Sequence, residues 1–223
     1  SVEEGVEEQA FLEYGRLANE PFGALARGQV QDWNRLIKAS AQIGSIPIYR
    51  LGDSIARAED MPNLYMSNII RSIEYLQNDL LGWKPQIAAI FFDYLQAFPI
   101  DPEVSHAAHD QQRRLQVRND IFRLRQAAGK FNCPTIVAVQ AKQKLDGHAG
   151  PNMLIPGIFD GEETSSIAQR SDRVIQLWMP KQTHTIGSLI DHKGMQFTVD
   201  ENLIFIKIGK QRGGLPSGKS FRC

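Results

Sequence analysis

Three apolar runs in this sequence each end on residues that could do chemistry. "IAAIFF" (87–92) delivers Asp93, "TIVAV" (135–139) delivers Gln140, and "LIFIKIG" (203–209) is followed by Lys210 and, two residues on, Arg212. In open α/β sheets ligands bind at the C-terminal ends of the strands. A carboxylate held there by a buried strand suits Mg²⁺ bound through water. A Gln there can donate to a γ-phosphate or orient a water. Alternate residues of a strand share a face, so Lys210 and Arg212 would offer two cations on one side, suited to phosphate charge in a transition state. "SVEE" places Glu3 and Glu4 at the chain start, where a carboxylate beside phosphates could act as general base toward the attacking water.

Taken one at a time, these residues keep a plainer reading. Asp93 also reads as a surface acid after a strand, Gln140 as a solvated strand end, and Lys210 with Arg212 as a solvated basic pair. Glu3 also reads as an acid favoured by the dipole at a helix N-terminus. "QQRRLQVRNDIFRLRQ" (111–126) is Arg-rich at helical spacing and reads as a solvated face. His106, His109, His148, His184 and His192 show no metal-ligand spacing.

"GGLPSGKS" (213–220) satisfies the phosphate-loop pattern G-x-x-x-x-G-K-[ST] letter for letter. Such a loop joins a buried strand to a helix, whose N-terminus stands behind the phosphates. "LIFIKIGK" (203–210) can supply the strand, but only "FRC" follows Ser220. With no room for the helix, Lys219 and Ser220 meet half the requirement. Gly213, Gly214, Pro216 and Gly218 read instead as a turn joining two strands.

The elements that must position these residues follow from periodicity. Ala10, Phe11, Tyr14, Leu17 and Ala18 predict an amphipathic helix; Trp33, Leu36 and Ile37 mark a second. "IPIYRL" (46–51) alternates like a strand. Met66, Ile69, Ile73, Leu76 and Leu80 predict a long helix ending near Gly82, and Val117, Ile121, Leu124 and Ala128 another, stopped at Gly129. "IAAIFF" and "TIVAV" are continuous apolar runs, expected of strands buried on both faces. A Gly-, Pro-, Asn- and Asp-rich loop spans 143–162. "RVIQLW" (173–178) and 203–209 read as strands, with a hairpin between them in the polar stretch 180–202. Strands alternating with helices predict an α/β fold with a mostly parallel sheet flanked by helices.

The chain has 223 residues, enough for one domain with a substantial core. Apolar residues make up 42%, so a globular fold is expected rather than disorder. Lys plus Arg and Asp plus Glu number 25 each, so net charge points to no polyanionic partner, although a local basic groove can hide in a neutral total. Cys133 and Cys223 lie far apart without C-x-x-C spacing, which excludes a zinc ribbon and a disulfide scaffold. The sequence shows neither a signal peptide nor an apolar run long enough to span a bilayer. A reducing cytoplasm is the expected setting. The abrupt ends, "SVEE" without Met and "SFRC" just past a strand, suggest a piece of a longer protein.

In order, "SVEE", "RGQVQDW", "IAAIFFDYLQ", "FNCPTIVAVQAKQ", "EETSSIAQRSDRVIQLW" and "IFIKIGKQRGG" resemble the RecA-like C-terminal motor domain of DnaB-type replicative DNA helicases. The resemblance runs from residue 1 to about 222, and "FFDYLQ" and "IGKQR-G" are its most specific segments. It implies a single RecA-like domain over 1–223, with an antiparallel hairpin at the C-terminal end. It also implies a hexameric ring that translocates on single-stranded DNA and hydrolyses ATP with Mg²⁺ between subunits. Primase and a helicase loader are the implied further partners, and no membrane. The family's S-x-E motif falls on residues 1–3 and makes Glu3 the water-activating base. Its Walker B acid falls on Asp93, for Mg²⁺, and its sensor Gln on Gln140. Its K-Q-R segment falls on 210–212, so that Lys210 and Arg212 would reach the neighbouring subunit's nucleotide.

On this alignment "GGLPSGKS" is the Gly/Pro turn after K-Q-R, slightly lengthened. The genuine phosphate loop would then lie on a strand and helix before "SVEE", after the family's primase-interacting N-terminal domain. The family's DNA-binding loop, R-E-S-G-S-I-E-Q-D-A-D, falls on 162–172, which here reads "EETSSIAQRSD". Glu162 replaces an Arg, Ala168 a Glu and Arg170 an Asp, whereas Gln169 and Asp172 keep the pattern. Backbone N–H groups at Glu163, Thr164 and Ser165 remain able to meet DNA phosphates, with a weaker or different contact for want of the Arg. The rival readings are another RecA-like ATPase of the recombinase or clock type, a non-catalytic DNA-binding or assembly module descended from the helicase, and, remotely, a permuted nucleotidase using "GGLPSGKS".

Overall fold

The structure is a computed structural model of the chain. It describes residues 6–51, 64–82, 86–100, 109–141, 165–192, 194–213 and 220–222. The chain divides into two compact units. One comprises Ser1–Asp101 with Cys133–Ala138, the other Pro102–Asn132 with Val139–Cys223.

In the first unit, α1 (Val6–Ala18), α2 (Phe22–Ala26) and α3 (Trp33–Gly44) form a small helical cluster. Gly15 lets the chain fold back on itself, since a Cβ there would lie 2.8 Å from the Glu20 carbonyl oxygen and 3.1 Å from Leu25 Cδ1. The Glu20 N–H donates to the Gly15 carbonyl at 2.9 Å. Glu20 is buried, and its Oε1 accepts the Asp32 N–H at 3.0 Å. Asp32 in turn caps α3, its Oδ1 accepting the Asn34 and Arg35 N–H groups. The stripe predicted for α3 is turned differently. Ala39 and Ile43 are buried, whereas Trp33 and Ile37 are exposed.

The predicted strand at 46–51 does not form. Ile46, Ile48, Tyr49 and Leu51 are exposed, and 47–51 pair with no strand among the described residues. Pro47 has no N–H to give a ladder, and the Ile48 N–H turns back to the Ile46 carbonyl at 2.8 Å. The predicted long helix does form, as α4 (Met66–Tyr75) followed by a π-helical turn, Leu76–Leu80. It buries Met66, Ile69 and Gln77, and Gln77 Oε1 accepts the Ile87 N–H at the approach to the next strand.

That strand, β1 (Ile90–Phe92), pairs in parallel with β2 (Thr135–Val137), Ile90 opposite Thr135 and Phe92 opposite Val137. Two further bonds extend the pair, from the Ala138 N–H to the Phe92 carbonyl and from the Leu95 N–H to the Ala138 carbonyl. The expected burial on both faces does not hold. Ile90 and Phe92 are buried, but Phe91 is 71% and Ile136 50% exposed. A continuous apolar run does not by itself fix how many faces are covered.

The second unit is built on α5 (His109–Phe131), the short α6 (Ser166–Arg170) and antiparallel strands. The apolar positions predicted for α5 face inward, with Val117, Ile121 and Leu124 buried. β3 (Arg173–Trp178), β6 (Phe205–Gln211) and β7 (Ser220–Arg222) form one antiparallel sheet in the order β3–β6–β7. β4 (Leu189–His192) and β5 (Met195–Thr198) form the hairpin expected within 180–202. Trp178, Ile190, Val199, Leu203 and Phe205 make the core here. The Trp178 and Phe205 rings stack at 5.3 Å, and the His192 ring lies 5.0 Å from Phe205.

The sheets depart from the mostly parallel arrangement expected. Among the described residues the only parallel pairing is β1–β2, and the other ladders are antiparallel.

Candidate functional site

Asp93 stands one residue beyond β1 and is exposed, as the sequence predicted for a strand-end acid. Gln140 lies three residues beyond β2 and is also exposed. Because β1 and β2 run in parallel, their C-terminal ends share one sheet edge. Among the described residues, Asp93 is the exposed carboxylate that directly follows either strand. It does not make a complete protein cage, and no group of three or more acidic, His or Cys side chains that could hold a metal is present among the described residues.

The C-terminal pattern does not fit a phosphate cradle. Ser220 opens β7 and pairs opposite Lys207, and Phe221 continues opposite Ile206. The position where a phosphate loop would start its helix starts an antiparallel strand instead. Gly213, at φ +66°, occupies the left-handed region that a turn leaving β6 requires.

Lys210 and Arg212 do lie together on one side. The β3–β6 ladder slips between Val174 and Ile175: Val174 faces Lys210, but Ile175 faces Ile208, leaving Gly209 as the extra residue. Such a bulge re-aims the side chains beside it. The result is a convergence on the C-terminal end of α6. Lys210 Nζ donates to the Ala168 carbonyl at 2.6 Å and to the Gln169 carbonyl at 3.1 Å. Arg212 Nη2 donates to the same Gln169 carbonyl at 3.0 Å, while Nη1 meets Asp172 Oδ1 at 3.1 Å. The Arg212 N–H also donates to the Asp172 carbonyl at 2.9 Å. Cations at a helix C-terminus satisfy carbonyls that have no partner within the helix and complement the dipole there. The two side chains are thus positioned by their own chain, through residues 168–172.

Of the other predicted site residues, Ser165 is the N-cap of α6, exposed, with its carbonyl accepting the Gln169 N–H at 3.1 Å. Glu3, Glu163 and Thr164 lie outside the described residues. Sequence reasoning gave Asp172 and Gln169 no more than agreement with a family pattern. Their role as the anchor of Lys210 and Arg212 was not legible, although an acid preceding one strand and a cation ending another is the signal that could have raised it.

No family model matches the chain, and no curated protein matches it. The fold is nevertheless shared with a solved structure of a DnaB-like replicative helicase, described together with its interactions with primase. The TM-score is 0.70 at 17% sequence identity, over 99% of this chain. The chain spans about half of that structure's length, 47% of it. The likeness shows a DnaB-like fold. No described helix is long and apolar enough to cross a membrane.

Proposed function

We propose that this chain is part of the RecA-like motor domain of an ATP-dependent replicative DNA helicase of the DnaB type, with residues 1–223 forming one incomplete motor domain in the cytoplasm. The observation that carries this reading is the fold shared with a DnaB-like helicase along 99% of the chain. Fold alone does not fix function, so the site residues supply the rest. Asp93 stands at the strand edge that α/β folds use for ligands, and Lys210 and Arg212 lie side by side at the end of β6.

On this reading ATP and Mg²⁺ bind at a subunit interface. Asp93 holds the Mg²⁺ through water, and Glu3 takes the proton of the attacking water. Gln140 donates toward the γ-phosphate. Lys210 and Arg212 serve the neighbour's nucleotide, an arrangement that head-to-tail contacts close into a ring and that is worth ~10³–10⁵ in rate where an arginine finger is supplied in trans. Mg²⁺ supplies charge neutralisation on the phosphates when bound. The phosphate loop belongs to residues preceding 1 in the parent polypeptide. Backbone N–H groups at Glu163, Thr164 and Ser165 meet single-stranded DNA. Primase and a loader are the partners of the assembled ring.

The test is ATP-dependent unwinding by the parent polypeptide, with two variants. Glu3→Gln is expected to keep nucleotide binding and lose turnover. Arg212→Ala is expected to abolish cooperative hydrolysis. Normal turnover in both removes these residues from catalysis.

Two observations favour a second reading, a non-catalytic DNA-binding or assembly module of the same ancestry. Lys210 and Arg212 are already engaged within their own chain, and 162–172 departs from the family's DNA loop at three positions. A parent polypeptide that binds DNA but not nucleotide supports this alternative.

A further inference from the structure

The outward face of α5 carries an imbalance that the helicase reading does not use. Over its whole length, His109–Phe131, the helix bears Arg113, Arg114, Arg118, Arg123, Arg125 and Lys130 against two carboxylates, Asp110 and Asp120. Asp120 does not offset them at the surface. It is 1% exposed, and both its oxygens accept from Gln116 Nε2 at 2.8 Å.

At 100° per residue, Arg114, Arg118, Phe122 and Arg125 fall within one sector of about 80°. All four are exposed. Arg114 and Arg118 make no ion pair or side-chain hydrogen bond among the described residues. The cluster continues onto α6. The Arg170 guanidinium lies 5.3 Å from the centre of the Phe122 ring, and Arg125 Nη1 reaches the Arg170 carbonyl at 3.4 Å. Phe122 is 47% exposed.

A face that serves only solvation usually interleaves acids with bases, because like charges four residues apart destabilise a helix. Arg114 and Arg118 form such a like-charged pair, and they sit in the N-terminal half of α5, where the helix dipole gives cations no support. Apart from Asp110, four residues before Arg114 in sequence, the helix spaces no acid to offset this pair, and a polyanion lying along it would do so. Arg114 to Arg125 covers about 16 Å of helix axis, the length of several nucleotides. An exposed aromatic ring within a row of cations is the composition of a single-strand binding surface, where arginines meet phosphates and the ring takes a base.

We infer that the stripe Arg114, Arg118, Phe122 and Arg125 of α5, with Arg170 of α6, binds single-stranded nucleic acid. It is a different set of residues from the loop assigned to DNA above, and it requires neither nucleotide nor a ring. Its failure would therefore leave the helicase reading standing, and the reverse is also true.

The experiment is fluorescence anisotropy of a labelled oligothymidylate titrated with the 223-residue chain without nucleotide, over a series of salt concentrations. The double variant Arg114→Glu, Arg118→Glu is expected to weaken binding more than tenfold. Losing two phosphate contacts should also flatten the log–log salt slope by about 1.4. Arg114→Lys, Arg118→Lys should keep most of the affinity. Phe122→Ala is expected to weaken binding about tenfold without changing the slope, as loss of one stacked base would. Because Arg114 and Arg118 are exposed and, among the described residues, unpaired, the charge reversal should leave the circular dichroism spectrum unchanged. Unchanged affinity in a folded charge-reversal variant overturns the inference. So does polyglutamate that competes as strongly as the oligonucleotide, which would make the occupant an acidic polypeptide. A duplex bound as tightly as the single strand, with Phe122→Ala silent, overturns it as well.

Discussion

Arg212 and Asp172, forty residues apart in sequence, are joined twice: the Arg212 Nη1 meets Asp172 Oδ1 at 3.1 Å, and the Arg212 backbone N–H meets the Asp172 carbonyl at 2.9 Å. The side-chain pair is open to solvent, at 46% and 68% exposure. Exposed pairs of this kind contribute about 0–1 kcal/mol. Asp172→Ala should therefore move the unfolding free energy by less than about 1 kcal/mol in a denaturant titration. It should, however, loosen the Arg212 side chain, which keeps its Nη2 bond to the Gln169 carbonyl, seen as partial narrowing of its Nε–Hε NMR signal. A large loss of stability would show that the pair is worth more than an exposed ion pair, and an unchanged Arg212 signal would show that the Gln169 carbonyl, not Asp172, holds the side chain in place.

Gly15 is the tightest point of the helical cluster. Helix propensity alone favours Ala over Gly by about 1 kcal/mol. Here the new Cβ would sit 2.8 Å from a backbone oxygen, that of Glu20, which cannot swing away as a side chain could. Relief requires moving the turn that places Glu20 on the Asp32 N–H. The clash should win, and Gly15→Ala should destabilise the chain by about 1–3 kcal/mol. A thermal melt checks the sign, and a raised Tm would mean that the α1–α2 turn relaxes at little cost.

The fold was legible where the pattern was local and failed where it depended on partners. Val117, Ile121 and Leu124 fixed the buried face of α5 because a helix makes its own hydrogen bonds, and three-and-four spacing then determines which side is covered. "IPIYRL" alternates as well as any strand, but a strand exists only if another chain segment pairs with it, and Pro47 removes one donor. The same dependence on neighbours explains Phe91, which belongs to an apolar run and is nonetheless 71% exposed. At the site, the strand-end position of Asp93 was readable, since the apolar run stops where β1 stops, whereas β2 ends at Val137, short of the end of its apolar run, and leaves Gln140 three residues beyond it. The bulge at Gly209 was not readable, nor was the convergence of Lys210 and Arg212 on the Gln169 carbonyl. Those features follow from the register between strands about thirty residues apart, which no local spacing encodes.

Burial pushes the Cys133 thiol above its ordinary value of 9.0. Its thiolate is therefore scarce at neutral pH, and alkylation there should be slow. Site-resolved mass spectrometry after brief treatment with iodoacetamide at pH 8 should find Cys133 largely unmodified in the folded chain and readily modified in denaturant. The linkage has a definite sign. Above the unfolded-state pKa the unfolded thiol loses its proton while the folded one keeps it, so the unfolded state binds fewer protons and stability falls as pH rises. The contribution is intact below about pH 9 and declines as pH climbs toward the folded value. Cys133→Ala should remove that part of the alkaline decline, and a pH profile identical to that of the parent chain would show that Cys133 does not set it.

The C-terminal pattern gives the sharpest test, because its letters and its structure disagree. Lys219 occupies the position of a phosphate-binding lysine, yet Ser220 next to it pairs with Lys207 in an antiparallel ladder. A phosphate loop draws its affinity from backbone N–H groups at the start of a helix, whereas a strand spends those groups on its neighbour. Calorimetric titration of this chain with Mg-ADP should show no binding that depends on Lys219, and Lys219→Ala should leave the heat trace unchanged. If the chain binds Mg-ADP and Lys219→Ala destroys the binding, the terminal segment is a working phosphate site. Asp93 and Gln140 would then have to be placed around it. If neither protein binds, the terminal match is a coincidence of turn composition, as the β6–β7 pairing indicates, and nucleotide must be sought with the longer polypeptide.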